Sequence, residues 1–299
     1  MNSKIFVVGS LNMDLVCQVG SVPKVGETVL AKKFFTACGG KGANQAIACA
    51  KLGGNVSMIG AVGDDENGRQ LIKNLQQNNV NCDNVSVCDE SSGLAFITVA
   101  NSNNTIIVAP NANFALKKDS VDRALKRAQS GDILIAQWES PIEIVRHAFE
   151  LARQKSMTTI LNPSPAVKEY SDMLSYVDIC ILNETETSIL TGIQPDSEVQ
   201  VALAIKKLYE SGLKQAILTL GSEGSVVAVG QQITFVDCVK TKVVDTTAAG
   251  DTYTGGVAVK LASKCDLLTA AHFASKAASI TVSRFGASKS IPYLSEVEV

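Results

Sequence analysis

A run of small residues near position 248 leads into an apolar helical stretch and carries one carboxylate, in the order Asp245-Thr246-Thr247-Ala248-Ala249-Gly250-Asp251. The first backbone N–H groups of a helix have no helical acceptor, and their partial positive charge favours an anion such as phosphate. Ala248, Ala249 and Gly250 add little bulk, so a phosphate could approach them, and Asp251 lies where an alcohol would lose its proton. The pattern predicts phosphoryl transfer to an alcohol, although Asp251 as an ordinary helix cap would produce the same residues.

A second glycine-rich segment, Gly39-Gly40-Lys41-Gly42-Ala43-Asn44-Gln45-Ala46, enters a helix predicted to run from Asn44 to Lys51. It lacks the spaced Gly-Lys-Ser/Thr of a P-loop and the glycine spacing of a dinucleotide fingerprint. Its glycines would let the backbone approach a ligand closely, and Lys41 and Asn44 carry polar groups suited to sugar hydroxyls. A tight turn without a ligand would use the same glycines.

The N-terminal segment Lys4 to Gly9 is typical of a buried parallel strand, and Ser10-Leu11-Asn12-Met13-Asp14 follows it directly. Open α/β sheets bind ligands just beyond the carboxyl ends of their strands. Asn12 and Asp14 alternate along an extended segment, so both can face the same side. Each of them alone would be an ordinary turn residue.

The elements that must position these residues alternate between strand and helix. The pattern predicts strands at 56–62, 132–137, 158–161, 177–182 and 216–220, and helices at 67–77, 141–155, 197–211, 250–262 and 266–284. Such alternation is typical of an α/β protein with a mainly parallel sheet covered by helices on both faces. Residues 15–35 and 94–109 break it with extended, antiparallel pieces, the second around the turn Asn101-Ser102-Asn103-Asn104.

Composition excludes several classes of protein. A net charge of −2 gives no basic surface for nucleic acid or an anionic membrane, and no apolar run is long enough to span a bilayer. Two histidines cannot supply a multi-histidine metal site, and none of the eight cysteines forms a Cys-x-x-Cys pair. We therefore expect a cytoplasmic protein with reduced thiols. Cys38 adjoins Gly39 and is the one cysteine placed for modification near a bound ligand.

The chain resembles the ribokinase-like carbohydrate kinases over essentially its whole length. The resemblance rests on Gly9 to Asp14, Gly39 to Ala46, Asn183-Glu184-Thr185-Glu186 and Asp245 to Asp251, in the family's order and spacing. It implies a single domain over residues 1–299 and a small β-sheet lid over the sugar, formed by about 12–38 and 94–109. The lids of two subunits would clasp each other in a homodimer. A lid also suits a kinase, because it keeps water from the γ-phosphate.

The resemblance implies ATP-dependent phosphorylation of a sugar, with Asp251 as general base and the N–H groups of Ala248, Ala249 and Gly250 as anion hole. The implied sugar ligands are Asn12, Met13, Asp14, Gly40, Lys41, Gly42, Ala43, Asn44, Glu139 and Asp251. The implied nucleotide contacts are Asn183, Thr219, Leu220, Gly221, Ser222, Glu223, Gly224, Gly250, Asp251 and Ser275.

The implied cofactors are ATP, Mg²⁺ and K⁺. Asn183 and Glu186 would help to hold Mg²⁺ through water, since Mg²⁺ keeps most of its waters; the same residues also read as an acidic helix cap. The implied K⁺ positions are Asp245, Thr247, Thr281, Arg284, Gly286 and Ser290, many of them through backbone carbonyls.

Asn12 favours D-ribose as the substrate, because a site that bonds a hydroxyl rejects a sugar lacking it. Other acceptors remain open: 2-deoxyribose, fructose or a nucleoside such as adenosine. A non-catalytic sugar or nucleotide sensor on the same fold is a further alternative, which the retained Asp251 argues against.

Overall fold

Two separate β-sheets organise residues 3–100 and 103–298, which are described by a computed structural model. Thirteen strands lie in those residues: β1 (Lys4–Val8), β2 (Asn12–Gln18), β3 (Lys33–Gly39), β4 (Asn55–Gly63), β5 (Asn81–Cys88), β6 (Gly93–Ala100), β7 (Asn103–Ala109), β8 (Ile133–Gln137), β9 (Thr158–Asn162), β10 (Ile179–Asn183), β11 (Gln215–Thr219), β12 (Ser225–Val229) and β13 (Gln232–Val236). The α-helices of the same residues are α1 (Lys41–Lys51), α2 (Glu66–Gln77), α3 (Lys118–Leu125), α4 (Ile142–Gln154), α5 (Glu184–Thr191), α6 (Glu198–Glu210), α7 (Ala249–Ala262), α8 (Leu267–Val282) and α9 (Leu294–Val297). Short 3-10 helices cover Asn111–Ala115, Lys168–Tyr176 and Gly221–Glu223.

The large sheet is mainly parallel, as predicted. Its strand order is β13-β12-β11-β10-β9-β8-β1-β4-β5. All pairs from β11 to β5 are parallel, and the hairpin β12–β13 adds two antiparallel strands at one edge. The turn of this hairpin contains Gly230 at φ 58°, a sequence signal for a two-residue hairpin that the strand–helix alternation did not use.

Helices cover both faces of the large sheet, which confirms the predicted α/β architecture. The alternation of β1 is responsible: Ile5 and Val7 point into one core, and Phe6 and Val8 point into the other. The first core receives side chains from α1, α2, α7 and α8, and the second from α3, α4, α5 and α6. In the described part of the chain no helix is both long and apolar enough to cross a bilayer.

The small sheet has the order β3-β2-β6-β7. The predicted antiparallel pairing holds for β2 with β3 and for β6 with β7, but β2 and β6 pair in parallel. The extended stretch predicted for 15–35 is also interrupted, because 19–32 forms no strand and contains chain-breaking Gly20, Pro23 and Gly26. Residues 101 and 102 of the predicted turn lie outside the described residues.

The strand order places β1 in the interior of the large sheet, between β8 and β4. From β1 the chain builds β4 and β5 on one side, and it builds β8 to β11 on the other side. The crevice between β1 and β8 is thus the point where the winding direction reverses, and α/β sheets bind ligands beyond the strand ends there. Four predicted site segments follow the carboxyl ends of β1, β8, β10 and β11, whereas 39–46 follows β3 of the small sheet and 245–251 leads into α7.

Candidate active site

A polar cavity of about 190 Å³ lies beyond the carboxyl ends of the central strands. The first turn of α7, residues 248–251, forms one wall, and Lys41 from α1 forms another. Its remaining polar lining comes from Asn162, Asn183, Glu186, Thr219 and Thr246. A larger, more open depression of about 490 Å³ between α6 and the β12–β13 hairpin holds none of the predicted residues.

The first turn of α7 presents bare backbone to this cavity. Ala248 is its N-cap, with φ 62° and no side-chain cap, so no side chain of its own covers the helix start. A Cβ atom added at Gly250 would meet nothing within 4 Å, so contacts within the protein do not require glycine there. The N–H of Ala249 donates to the carbonyl of Thr246 at 3.2 Å, and its predicted role in the anion hole would require this bond to open.

Asp251 lies on this turn, and its carboxylate is buried, with the residue 8% exposed. The amide of Asn44 donates to its Oδ2 at 3.1 Å, and the amide of Gln45 donates to its Oδ1 at 3.0 Å. Burial raises the pKa of Asp251, while nearby Lys41 and the two amide bonds oppose that rise. A buried carboxylate with a raised pKa that also faces N–H donors is suited to accept a proton.

Lys41 is the cation of the site and begins α1. Burial alone would lower the pKa of its ammonium, but the carboxylates of Asp251, Glu139 and Glu186 outweigh burial and raise it. Lys41 therefore stays charged and faces carboxylates from three different segments. Such a fixed cation can stabilise negative charge that develops beside Asp251.

Asn12 and Asp14 lie on the same face of β2, as predicted, and Asp14 is close enough to Asp251 for their charges to interact. The Oδ1 of Asn12 accepts from Nδ2 of Asn113 at 2.8 Å, and Asn113 also bonds the backbone of Leu11. Burial, Glu139 and Asp251 raise the pKa of Asp14 to about 7. Met13 lies on the opposite face of the strand and belongs to the hydrophobic core, so its side chain does not reach the site.

The glycines of residues 39–42 serve contacts within the protein. Gly40 has φ 90°, and a Cβ there would lie 2.7 Å from the backbone N of Asn12. At Gly42 a Cβ would lie 2.6 Å from the backbone of Gly9, and Ala43 donates its N–H to Ser10. These residues let the start of α1 lie directly against the segment after β1. Contacts within the protein are thus enough to require glycine at positions 40 and 42, and the approach of a ligand to this backbone stays a prediction. The helix that these residues enter starts at Lys41, three residues before the predicted start.

Glu139 connects the segments that follow β1 and β8. Its Oε2 accepts from the hydroxyl of Ser10 at 2.5 Å and from the backbone N of Lys41 at 3.4 Å. Asn44 bonds Asp251 through its amide nitrogen, and its Oδ1 is buried without a hydrogen-bond partner among the described residues. Buried acceptors are normally paired, so this oxygen has an unused capacity to accept a hydrogen bond.

On the opposite side of the cavity, Asn183 and Glu186 form a reciprocal capping box at the start of α5. The side chain of Asn183 accepts from the N–H of Glu186 at 2.8 Å, and Glu186 accepts from the N–H of Asn183 at 2.9 Å. Burial raises the pKa of Glu186. The capping interpretation is therefore confirmed, and both side chains also line the cavity.

The segment 219–224 follows β11 at the edge of the cavity. Thr219 lines the cavity, whereas the side chain of Leu220 is buried in the core and leaves only its backbone available. Gly221, Ser222 and Glu223 form an exposed 3-10 turn, and Gly224 closes it with φ 99°. Ser275 lies on α8, where its hydroxyl donates to the carbonyl of Asp237 at 3.3 Å, and it is not part of the cavity lining.

Three of the predicted cation positions come together around one carboxylate. Asp245 accepts from the N–H and hydroxyl of Thr247 at 2.9 and 2.6 Å, and from the N–H of Gly286 at 3.0 Å. These bonds lower its pKa against the effect of burial. The side chains of the other three positions bond elsewhere: Thr281 to Thr252, Arg284 to Glu296 and Ser290 to the carbonyl of Ala287.

Sequence reasoning missed three amide side chains of the site. Asn162 ends β9 and lines the cavity, Asn113 holds Asn12, and Gln45 bonds Asp251. Asn162 carried a usable signal, since it directly follows a predicted strand. No sequence signal pointed to Asn113, because it lies 101 residues from Asn12, whose side chain it contacts.

Comparison with known proteins identifies the family. The profile of the pfkB family carbohydrate kinases matches residues 2–294. Ribokinase of Bacillus subtilis (strain 168) is 38% identical, with 98% of both chains covered. A deoxyribokinase of Salmonella typhi is 36% identical, with 98% of this chain and 96% of that protein covered.

A bifunctional ribokinase/ribose-5-phosphate isomerase A of Fructilactobacillus sanfranciscensis is 38% identical over 97% of this chain, which spans 54% of that protein. The solved structure of Arabidopsis thaliana ribokinase complexed with ribose and ATP has a TM-score of 0.90 at 32% identity, covering 100% of this chain and 98% of that one. The chain belongs to the pfkB family of carbohydrate kinases.

Proposed function

From its family and from the geometry of the cleft, we propose that this chain transfers the γ-phosphoryl group of ATP to the 5-hydroxyl of D-ribose. The observation that carries the proposal is the position of Asp251. Its buried carboxylate lies between the amides of Asn44 and Gln45 on α1 and the bare first turn of α7. One side of Asp251 therefore suits an alcohol, and the other suits a phosphate.

The chemistry follows from this placement. Asp251 accepts the proton of the hydroxyl, whose oxygen forms a bond to the γ-phosphorus while the bond to the β-phosphate oxygen breaks. The electron pair of that bond leaves with ADP, and the proton on Asp251 passes to solvent after product release. Lys41 and the first-turn N–H groups of α7 stabilise the charge that develops on the transferring phosphoryl group.

The groups near β2 support a sugar that carries several hydroxyls. Asn113 holds the Oδ1 of Asn12 and leaves the amide nitrogen as the end that can donate to a hydroxyl. The unpartnered Oδ1 of Asn44 supplies an acceptor, and Asp14 supplies a carboxyl. A hydroxyl missing from the substrate would leave such buried groups unpaired, which favours ribose over 2-deoxyribose.

ATP as the donor is supported by the Arabidopsis ribokinase complex with ribose and ATP. Among the described residues no group of three His, Cys, Asp or Glu side chains could hold a metal ion. One carboxylate, Glu186, and the amide oxygens beside it still fit Mg²⁺ that retains its waters. Mg²⁺ would neutralise phosphate charge there, while Glu186 and Asn183 would orient its water shell.

K⁺ would lie in the loop beside α7. Asp245 supplies a carboxylate there, and the backbone carbonyls of Thr247 and Gly286 are the neutral ligands that K⁺ accepts. The side chains of Thr281, Arg284 and Ser290 are bonded to other groups, so these residues would contribute carbonyl oxygens only.

The small sheet is the proposed lid, and its outer face is the proposed contact between two subunits. Phe34, Phe96 and Ile107 lie on one face of the small sheet, on β3, β6 and β7, and are 59%, 47% and 71% exposed. Large exposed apolar patches mark interaction sites. A homodimer would cover them, and replacing Phe96 by Asp should then yield monomers in sedimentation velocity. A cytoplasmic location is supported by the eight unpaired cysteines.

The test is ADP release by the purified chain with ATP, Mg²⁺ and one acceptor at a time, with and without K⁺. The acceptors are D-ribose, 2-deoxyribose, fructose and adenosine, and Asp251→Asn is the control. The proposal predicts the highest kcat/KM for ribose, stimulation by K⁺ and turnover lost in the control.

Turnover that is highest with another acceptor would leave the proposed mechanism unchanged and assign that acceptor as the substrate in place of ribose. ATP binding without turnover on any acceptor would contradict the proposal and favour a sensor.

A further inference from the structure

Gln45 lies fully buried behind Asp251, and both polar atoms of its amide are hydrogen-bonded. Its Nε2 donates to Oδ1 of Asp251 at 3.0 Å and to Oδ1 of Asn162 at 3.1 Å. Its Oε1 accepts from Nε2 of Gln137 at 2.6 Å. Gln45 is 0% exposed, so its side chain makes no contact with solvent and is held by these groups alone.

The directions of these bonds leave one arrangement. An ionised carboxylate can only accept hydrogen bonds, so the Gln45 nitrogen faces Asp251 and Asn162, and its oxygen faces Nε2 of Gln137. Asn44 bonds the other oxygen of Asp251. Both oxygens of this carboxylate thus face N–H donors, which favours its ionised form and fixes the plane of the carboxyl group.

The same amide connects Asp251 to the proposed phosphate side of the cleft. Asn162 accepts from Gln45 and donates to Oε2 of Glu186 at 3.4 Å and to the carbonyl of Ile181 at 3.1 Å. A continuous row of amides therefore links Gln137, Gln45 and Asn162 with the two carboxylates. This row crosses from β8 through α1 and β9 to α5.

We infer that Gln45 is a positioning residue, which aims the carboxylate of Asp251 and keeps it in register with Glu186 through Asn162. The inference rests on the proposed function, since it concerns the proton acceptor of that reaction. Gln45 does not touch the reacting atoms and acts through Asp251. Misplacement of a reacting group by about 1 Å can lower a rate by about 100-fold.

Other charged groups also act on Asp251 and must be separated from Gln45. Lys41 from α1 favours its ionised form, and Asp14 from β2 and Glu186 from α5 carry charge of the same sign. None of these groups is altered by replacing Gln45. A titration of Asp251 in two forms of the protein that differ only at Gln45 therefore isolates the amide.

The first measurement is the ¹³Cγ NMR titration of Asp251 in aspartate-labelled protein, with the signal assigned by its absence in Asp251→Asn. In Gln45→Leu the carboxylate loses one donor, so the titration midpoint should move to higher pH. Gln45→Glu places a second carboxyl group against Oδ1 of Asp251 and should move the midpoint in the same direction. Gln76→Leu, at an exposed position of α2, is the matched control and should leave the midpoint unchanged.

The second measurement is the pH profile of kcat with ribose. Gln45→Leu should lower kcat by about 10- to 100-fold, change the KM for ribose by less than about 3-fold and shift the acidic limb to higher pH. The shift has this sign because Asp251 accepts a proton only when it is ionised. An unshifted midpoint of Asp251 in both variants would overturn the inference, as would a loss of affinity equal to the loss of kcat. Absence of turnover in the unsubstituted protein would refute only the proposed function, because the NMR titration does not depend on activity.

Discussion

At the β2 end of the cleft the functional groups are buried side chains, whereas at the α7 end they are exposed backbone. Asn12, Asp14 and Asn44 are fixed by hydrogen bonds or burial, and Gly40 is required by the protein's own contacts. Gly250 has no neighbour that its missing side chain would meet. The difference teaches that the proposed sugar end is organised by the protein's own contacts, whereas the proposed phosphate end depends on backbone N–H groups that no side chain covers. At that end the bond from Ala249 to Thr246 would open when a phosphate binds.

The largest expected effect lies where the two ends meet. Asp251→Asn keeps the size of the side chain and removes the proton acceptor, so kcat should fall by about 1000-fold. Binding of ribose and ATP, measured separately by calorimetry, should change by less than about 5-fold. Equal losses in kcat and in ribose affinity would mean that Asp251 only binds ribose. That result would contradict its proposed role between the sugar and the phosphate.

A matched pair of glycine substitutions separates the two ends directly. Gly40→Ala should lower the free energy of unfolding by about 2 kcal/mol or more, because the new Cβ meets backbone and φ is 90°. Gly250→Ala should leave the unfolding free energy within about 0.5 kcal/mol and raise the KM for ATP several-fold. Denaturant unfolding and steady-state kinetics on both variants check this. A destabilised Gly250→Ala protein would mean that the α7 end is also built by internal contacts.

Asp14 should make the stability of the protein depend on pH. Its pKa is raised to about 7 in the folded chain, so the folded state binds the proton more tightly than the unfolded state. Stability should then fall as pH rises from about 4 to about 7 and remain constant above that range. Asp14→Asn removes this penalty and should stabilise the protein at pH 8 by about 4 kcal/mol, but not at pH 4.

Chemical denaturation of both proteins at the two pH values measures this difference. The same variant should bind ribose more weakly. The residue that lowers the stability of the folded protein would then also be one that binds the substrate. A pH-independent difference between the two proteins would contradict the raised pKa.

The smallest effect is expected in the loop beside α7. Asp245→Ala removes the acceptor of Thr247 and Gly286 and should reduce K⁺ stimulation of turnover more than it reduces ribose affinity. The measurement is kcat as a function of K⁺ at saturating ribose, with Na⁺ as the control for ionic strength. An unchanged K⁺ response would remove Asp245 from the proposed cation site.

The sequence was most informative where function depends on local backbone. The α7 turn and Asp251 were predicted from seven consecutive residues, and the parallel sheet from the alternation of strands and helices. Gln45 and Asn162 could not be assigned roles in the same way, since their contacts join segments 117 residues apart. The glycines at 39–42 also make contacts within the protein that the sequence did not indicate, because sequence alone does not tell which part of the chain fills the space beside a glycine.

The parallel pairing of β2 with β6 likewise could not be predicted from the sequence. Seventy-four residues separate Gln18 from Gly93, and only the packed molecule brings these strands together. Within each pair, by contrast, the strands are close in sequence and their antiparallel pairing was predicted.

The central claim is that Asp251 joins a sugar end to a phosphate end, and the identity of the product tests it most directly. The chain would be incubated with ATP, Mg²⁺, K⁺ and D-ribose, and the product examined by ³¹P NMR with ¹H coupling, with 5-deoxyribose as the matched control. We predict a phosphate ester on the 5-oxygen of ribose, no ester with 5-deoxyribose and no product with Asp251→Asn. Undiminished product from Asp251→Asn, or phosphate on another oxygen of ribose, would contradict the account.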